Sequence, residues 1–156
     1  MLHLLLMLLL QVATYGHDGK FLLPDPHRTP GAVRTTDTAS LCVATFRTGP
    51  YRKTTASMKR KVCQEYGASD CPNPENGEID HLAPLEIGGL DSIENLWWQP
   101  SPQYHLKDKV ENAMHKLMCE GKLTAAQAQS CLIADWVACG KKYGVIDANG
   151  NYVPGR

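Results

Sequence analysis

The sequence carries no net charge, because its 16 Lys and Arg residues balance 16 Asp and Glu residues. It therefore lacks the overall basicity that holds many proteins on a polyanion. Hydrophobic residues make up 43% and charged residues 21% of its 156 positions. These values exclude a disordered or fibrous chain and are typical of one globular domain with a modest core.

Long apolar runs are also missing. The run over residues 4–10 is too short to span a bilayer, which needs roughly 20 residues. It fits the hydrophobic region of a secretory signal peptide, which we predict over residues 1–16 with cleavage near Thr14 or Gly16. A buried N-terminal helix is the alternative. We therefore expect the mature protein to be secreted or periplasmic.

Lys and Arg are absent from residues 65–95, a stretch that holds eight acids. Just before it, residues 28–61 hold eight Lys or Arg and a single acid, Asp37. A basic segment beside an acidic one suits a protein that holds a polyanion with one part and a metal cation with the other. Two differently solvated faces would give the same pattern.

Cys-x2-Cys pairs are absent as well, which argues against a structural zinc site. Six cysteines, an even number, together with the predicted export, indicate disulfides. Several pairings are open to six cysteines, and the sequence alone does not select one. Short separations in the sequence favour two local disulfides, Cys63 with Cys71 and Cys131 with Cys139. The remaining pair, Cys42 with Cys119, would then form a long-range disulfide.

Turn residues and apolar spacing divide the chain into an extended N-terminal arm (residues 17–40), a functional domain (residues 41–140) and a polar C-terminal tail (residues 141–156). Within the domain, periodicity and capping residues predict six elements. These are a strand at 41–46, a helix from Thr54 or Thr55 to Gly67, a strand pair at 78–85 and 94–98, a helix from Tyr104 to Gly121, and a helix that begins at Thr124.

The residues best suited to catalysis follow this strand, loop, strand, helix order: Asp80-His81, Asn95 and His105. Hydrolysis of a phosphodiester needs a group with a pKa near neutrality to take a proton from water, and histidine is that group. A divalent cation held by oxygen ligands stabilises the charge on the phosphoryl oxygens. Asp80 and His81 reach one site only where their strand ends or distorts. Asn95 could orient the imidazole or tie down the loop.

These residues, with Pro84-Leu85, Gly88-Gly89 and Asn95-Leu96-Trp97 around them, resemble the motif of HNH nucleases, most closely that of small exported bacterial HNH-like proteins. The resemblance implies an α+β fold with a ββα-metal (HNH) core, flanking helices and disulfides. It also implies His81 as the general base, Asp80 as a metal ligand and Asn95 as the residue that orients His81. The spacing of the helix ligand is offset by one position, so that His105 and Asp108 are both candidates.

The implied activity is that of a secreted endonuclease with one divalent metal ion, Mg²⁺ or Mn²⁺, with Zn²⁺ as an alternative. We expect DNA rather than RNA as substrate and little sequence preference, because most contacts would go to phosphates. The candidate phosphate-binding residues are Lys59, Arg60, Lys61 and Lys107, with Arg52 and Lys53 near the first three in the sequence. A solvated helix face is the alternative for this basic stretch. A disulfide-rich binding protein without catalysis on the same scaffold is the alternative.

Overall fold

A short antiparallel strand pair followed by a long helix forms the centre of the fold. In this computed structural model, which describes residues 12–155, strand β3 (Gly77–His81) pairs with strand β4 (Leu96–Pro100), and helix α3 (Gln103–Cys119) follows. The register places His81 opposite Leu96. The predicted order of strand, loop, strand and helix is therefore present, although each strand is shorter on its loop side than predicted.

A second hairpin and further helices surround this centre. Strand β1 (Gly16–Asp18) pairs antiparallel with strand β2 (Phe21–Leu23). The other α-helices of the described residues are α1 (Thr38–Leu41), α2 (Ala56–Glu65) and α4 (Ala125–Lys142). Single turns of 3-10 helix span Gly49–Tyr51, Leu85–Ile87 and Ile93–Asn95. Within residues 12–155, no helix is both long and apolar enough to cross a membrane.

The ends of the longer helices follow local signals. Thr55 Oγ1 accepts a hydrogen bond from Met58 N at 3.2 Å and caps α2, and Thr124 forms a capping box at the start of α4. Beyond α2 and α3, Gly67 and Gly121 have φ values of 59° and 74°, a left-handed conformation that glycine adopts without steric cost. These short-range signals are the reason that the three helices could be predicted.

Helix α4 is interrupted at Asp135, whose φ of −170° and ψ of 105° are not helical. Asp135 Oδ1 accepts hydrogen bonds from Val137 N and Ala138 N, both at 2.9 Å, and so starts a second helical segment. Cys131 and Cys139 are bonded across this break with their Cα atoms 5.4 Å apart. In a straight helix these atoms would lie about 12 Å apart, too far for a disulfide. The kink therefore makes the bond possible.

Three disulfides join the cysteines in the pairing favoured from the sequence: Cys42–Cys119, Cys63–Cys71 and Cys131–Cys139. The Cys42–Cys119 bond links the end of α1 to the end of α3 across a separation of 77 residues. Closing a loop of that length removes disorder from the unfolded chain and is expected to contribute about 4 kcal/mol to the free energy of unfolding.

The core lies between the β3–β4 pair, α3 and α4. Trp97 and Trp136 are fully buried and belong to one cluster with Val110, Met114 and Leu132. Burial of each large side chain contributes roughly 2 kcal/mol. This packing fixes β4 against α3, and the pairing of β3 with β4 then fixes the position of β3 relative to α3.

The prediction of a strand over residues 41–46 is wrong. Asp37 Oδ1 accepts from Ser40 N and caps a helical turn, α1, that ends at Leu41. The residues after it form turns, and Phe46 N donates back to Val43 O at 2.9 Å. A backbone that satisfies its donors locally in this way has none left for pairing with a neighbouring strand.

The arm and the tail also differ from the prediction, because both pack on the domain. The arm, residues 17–40, contains most of the β1–β2 hairpin and buries Asp25 and Thr29. The tail, residues 141–156, buries Val145 and Ile146, and Ile146 forms a β-bridge with Tyr152. Each segment contains only a few apolar residues, so the sequence shows no periodic pattern that would predict this packing.

Residues 1–11 of the predicted signal peptide lie outside the described residues. Residues 12–16 contact the folded domain: Ala13 N donates to Glu65 O at 2.6 Å, and Tyr15 Oη donates to Trp98 O at 2.7 Å. The described end of the predicted leader is thus bonded to both α2 and β4.

Candidate active site

Asp80 and His81 line one small cavity at the end of β3. This acidic cavity has a volume of about 120 Å³ and is lined by Thr48, Arg52, Asp80, His81, Pro84, Leu85, Glu86 and Glu111. Successive side chains of a strand point to opposite faces, and the two residues share the cavity because β3 ends at His81. A strand end is thus the one of the two expected arrangements, an end or a distortion, that the structure shows here.

A buried carboxylate holds the imidazole of His81. His81 Nε2 lies 2.8 Å from Asp91 Oδ1, and the two side chains are 5% and 3% exposed. Asp91 also accepts hydrogen bonds from Thr54 Oγ1, at 2.6 Å, and from Lys53 N. A carboxylate can only accept, so Nε2 is the donor and Nδ1 is the acceptor of the neutral ring.

The electrostatics of this pair favour a neutral imidazole beside an ionised carboxylate. Burial lowers the pKa of His81, and the hydrogen bond to Asp91 opposes this only in part. Burial disfavours the charge on Asp91, but the hydrogen bonds from Thr54, His81 and Lys53 outweigh it and lower the pKa of Asp91. A neutral imidazole with a free Nδ1 can accept a proton from water.

Asn95 ties the loop between β3 and β4 and does not contact the imidazole. Its Oδ1 accepts from Ala83 N at 2.8 Å, and its Nδ2 donates to Ala83 O and Leu90 O at 2.9 and 2.8 Å. The expected role of Asn95 in orienting His81 is therefore taken by Asp91. Of the two roles that the residue type allowed, the structure assigns the second, that of tying down the loop.

Gly89 explains why this loop can fold so tightly. A Cβ atom at this position would lie 1.8 Å from Ala83 O, closer than any real contact. Gly89 N donates to Pro84 O at 2.9 Å, which brings the two halves of the loop together. The close approach sets Asp91 under the imidazole of His81.

Lys107 lies at the centre of a buried charge network. Its side chain is fully buried, and its Nζ donates to Asp80 Oδ2 at 2.5 Å, to His81 O at 2.8 Å and to Glu111 Oε1. Burial disfavours its charge, but Asp80 and Glu111 outweigh this and raise the pKa of Lys107. The predicted role of Lys107 in binding substrate is wrong, because its ammonium is fully buried and already hydrogen-bonded to these three partners.

The acidic groups around Lys107 exceed its charge. Burial, followed by repulsion from Asp80 and Asp108, raises the pKa of Glu78 to about 7. Burial also raises the pKa of Glu86, whose Oε1 is buried without a hydrogen-bond partner in the structure. The cavity itself is lined by three acids, Asp80, Glu86 and Glu111, and Glu86 Oε1 is the unsatisfied oxygen among them.

Oxygen donors of this kind suit Mg²⁺ or Mn²⁺ better than Zn²⁺. Among residues 12–155, however, no three His, Cys, Asp or Glu side chains converge as a metal site. Asp80 Oδ1 accepts from His81 N at 2.7 Å and its Oδ2 accepts from Lys107, and the carboxylate retains acceptor capacity because it has about four acceptor positions. Asp80 and the unsatisfied Glu86 are thus the two side chains that fit a cation here.

The two candidates for the helix ligand lie elsewhere. His105 is exposed and lines a separate cavity on another side of α3. Asp108 is half-buried, and its pKa is raised by burial and then by the charge of Asp80, but it does not line the acidic cavity. In their place, α3 presents Glu111 to the cavity.

The predicted basic stretch is on the surface of α2. Lys59, Arg60 and Lys61 are exposed, and Lys61 Nζ lies 3.8 Å from Glu65 Oε1. None of the three lines the acidic cavity, whereas Arg52 does.

Three residues of the cavity region are absent from the set predicted for the site: Glu86, Asp91 and Glu111. Glu111 had a signal, because it follows Lys107 by four residues, the spacing of neighbours on a helix face. For Asp91, the only signal in the sequence was its position shortly after the Gly88-Gly89 pair. Arg52 and Glu86 reach the cavity through tertiary packing.

Comparisons with models of protein families, with curated proteins and with solved structures found no match.

Proposed function

We propose that this protein is an exported endonuclease of the HNH, or ββα-metal, type that hydrolyses phosphodiester bonds of DNA with little sequence preference. The observation that carries the proposal is the Asp91–His81 pair, 2.8 Å apart, at a cavity lined by carboxylates and one arginine. Export is supported by the three disulfides, which persist in oxidising compartments.

In the proposed reaction, His81 acts as the general base. A water oxygen attacks phosphorus while its proton passes to Nδ1 of His81; the bond from phosphorus to the leaving oxygen breaks, and solvent protonates that oxygen. Asp91 keeps the ring in the tautomer with a free Nδ1 and stabilises the imidazolium that forms. Arg52 would hold the non-bridging phosphate oxygens at the cavity mouth.

Asp80 and Glu86 would hold the divalent metal ion. When bound, such an ion stabilises the negative charge that builds on the phosphoryl and leaving oxygens. Lys107 anchors Asp80 to α3 and also bonds His81 O. It thereby keeps the ligand and the base in a fixed relation, as a positioning residue.

One observation favours a second candidate, a binding protein that keeps this scaffold without catalysis. The carboxylate of Asp80 is already bonded to Lys107, and no complete ligand set is assembled within residues 12–155. This candidate predicts nucleic-acid binding without turnover in any metal.

The test is nicking of supercoiled plasmid by oxidised, folded protein in Mg²⁺, in Mn²⁺ and in excess chelator. The wild-type protein is compared with Asp91→Asn and with Asp70→Asn, a control at an exposed position. We expect metal-dependent nicking that slows about 10- to 100-fold in Asp91→Asn, because the imidazole loses its orienting carboxylate, and that is unchanged in Asp70→Asn. Folded protein that nicks under none of these conditions would reject the enzyme in favour of the binding protein.

A further inference from the structure

A second cavity, larger than the acidic cavity, lies apart from it. This basic groove has a volume of about 770 Å³ and runs between β2, the β4–α3 connection, α3 and residues 150–152. Phe21 and Leu106 contribute apolar surface, and Tyr152, 42% exposed, contributes an aromatic ring. A concave apolar surface of this size is in the range that binds small organic groups.

The charges that line the groove are all of one sign. Lys20 and Lys109 line it beside the imidazole of His105, and its lining within residues 12–155 includes no Asp or Glu. Both lysines lie near aromatic rings: Lys20 Nζ is 5.3 Å from the centroid of Phe21, and Lys109 Nζ is 5.9 Å from that of Tyr152. A ligand that complements this groove is flat, partly apolar and anionic.

A fixed amide forms part of the groove wall. Gln103, at the start of α3, also lines the groove. Its Oε1 accepts from Leu22 N at 2.9 Å, which fixes the amide against β2, while its buried Nε2 has no hydrogen-bond partner in the structure. This wall therefore joins β2 to the start of α3 in a fixed arrangement.

We propose that the basic groove binds one unpaired nucleotide of the substrate strand, with its base against Tyr152 and its phosphate near Lys109 and His105. The choice of ligand rests on the proposed nuclease function and deepens it. A nucleotide combines a flat ring that stacks on aromatic side chains with an anionic phosphate. The nucleotide is unpaired, because a base within a duplex has both faces covered by its neighbours.

The test measures binding of a fluorescein-labelled oligothymidylate of about six nucleotides by fluorescence anisotropy, in excess chelator, which stops cleavage under the proposed function. Tyr152→Ala and Lys109→Ala are compared with Lys116→Ala, a change at another exposed position of α3. We expect the Kd to rise about tenfold for each groove variant, as for loss of a stacked base or a phosphate contact, and to change less than about twofold for the control.

Groove variants that bind the oligonucleotide as the wild-type protein does would overturn the proposal. If a blunt duplex binds as tightly and loses the same affinity in Tyr152→Ala, the proposal that the bound nucleotide is unpaired would be rejected. Plasmid nicking is measured on the same proteins, which separates the two proposals: groove-dependent binding without nicking rejects the nuclease alone, and nicking with groove-independent binding rejects the groove alone.

Discussion

Helix α3 contributes Lys107 and Glu111 to the buried network beside the acidic cavity, whereas it contributes His105 and Lys109 to the basic groove. Residues two apart on a helix point in directions about 200° apart, and residues four apart point the same way. His105 therefore cannot share a site with Lys107. The spacing along the sequence from the Asp80-His81 pair therefore predicts which helix follows the strands, but not which side of that helix faces the acidic cavity.

Matched substitutions of Lys107 and Lys109 are expected to show the largest difference in stability between the two sides of α3. Lys107→Met leaves the carboxylates of Asp80 and Glu111 without their cation, and we expect it to lower the free energy of unfolding by about 3–5 kcal/mol. Lys109→Met, on the exposed side, should change it by less than about 0.5 kcal/mol. Urea unfolding of both variants measures the difference.

Similar stabilities for the two methionine variants would show that the charges around Lys107 are not coupled. A variant Lys107→Met/Glu111→Gln provides a second measurement. It removes one of the two uncompensated acids, so part of the lost stability should return.

The sequence was informative where local chemistry decides structure. Thr55, Thr124, Gly67 and Gly121 fix helix ends through hydrogen bonds and backbone conformations within a few residues. Strand geometry allowed Asp80 and His81 to reach one site only where their strand ends or distorts, and both line one cavity at the end of β3.

The remaining features depend on contacts between distant residues. Asp91 reaches His81 only because the loop folds back at Gly89, and Arg52 reaches the cavity from a turn before α2. The break of α4 at Asp135 was implied by the disulfide between Cys131 and Cys139, since a straight helix keeps those residues apart. Helical spacing alone gave no sign of it.

A smaller effect is expected on the response to metal. Glu86→Gln should raise the Mg²⁺ concentration for half-maximal nicking about tenfold, because it weakens an oxygen donor of the acidic cavity. His105→Ala should leave that concentration unchanged, since His105 lies in the basic groove. Titration of nicking with Mg²⁺ for both variants measures this. If this Mg²⁺ concentration changes for His105→Ala and not for Glu86→Gln, His105 is the metal ligand, as the motif predicts.

The smallest effect is expected away from both sides of α3, at Asp25. Burial opposes its charge, but backbone N–H groups of Thr14, His27 and Arg28 outweigh this and lower its pKa. A lowered pKa stabilises the fold above the unfolded pKa, about 3.9, and this stability is lost as the pH falls through the folded value.

Asp25→Asn should therefore be less stable than the wild-type protein at pH 7, and the difference should shrink below about pH 5. Urea unfolding at a series of pH values from 7 to 3 checks the prediction. A difference that stays constant over the whole series would show that ionisation of Asp25 does not stabilise the fold.

The assignment of His81 as the general base is tested most directly by the rate of plasmid nicking. The rates of His81→Ala and His105→Ala are compared with that of the wild-type protein, and circular dichroism confirms that each variant is folded. With His81 as the general base, His81→Ala should lose about 10²- to 10⁴-fold in rate at saturating substrate. His105→Ala should keep that rate, and its effect should appear in substrate affinity. Full activity in His81→Ala, or equal losses in both variants, would contradict the assignment of the base to the Asp91–His81 pair.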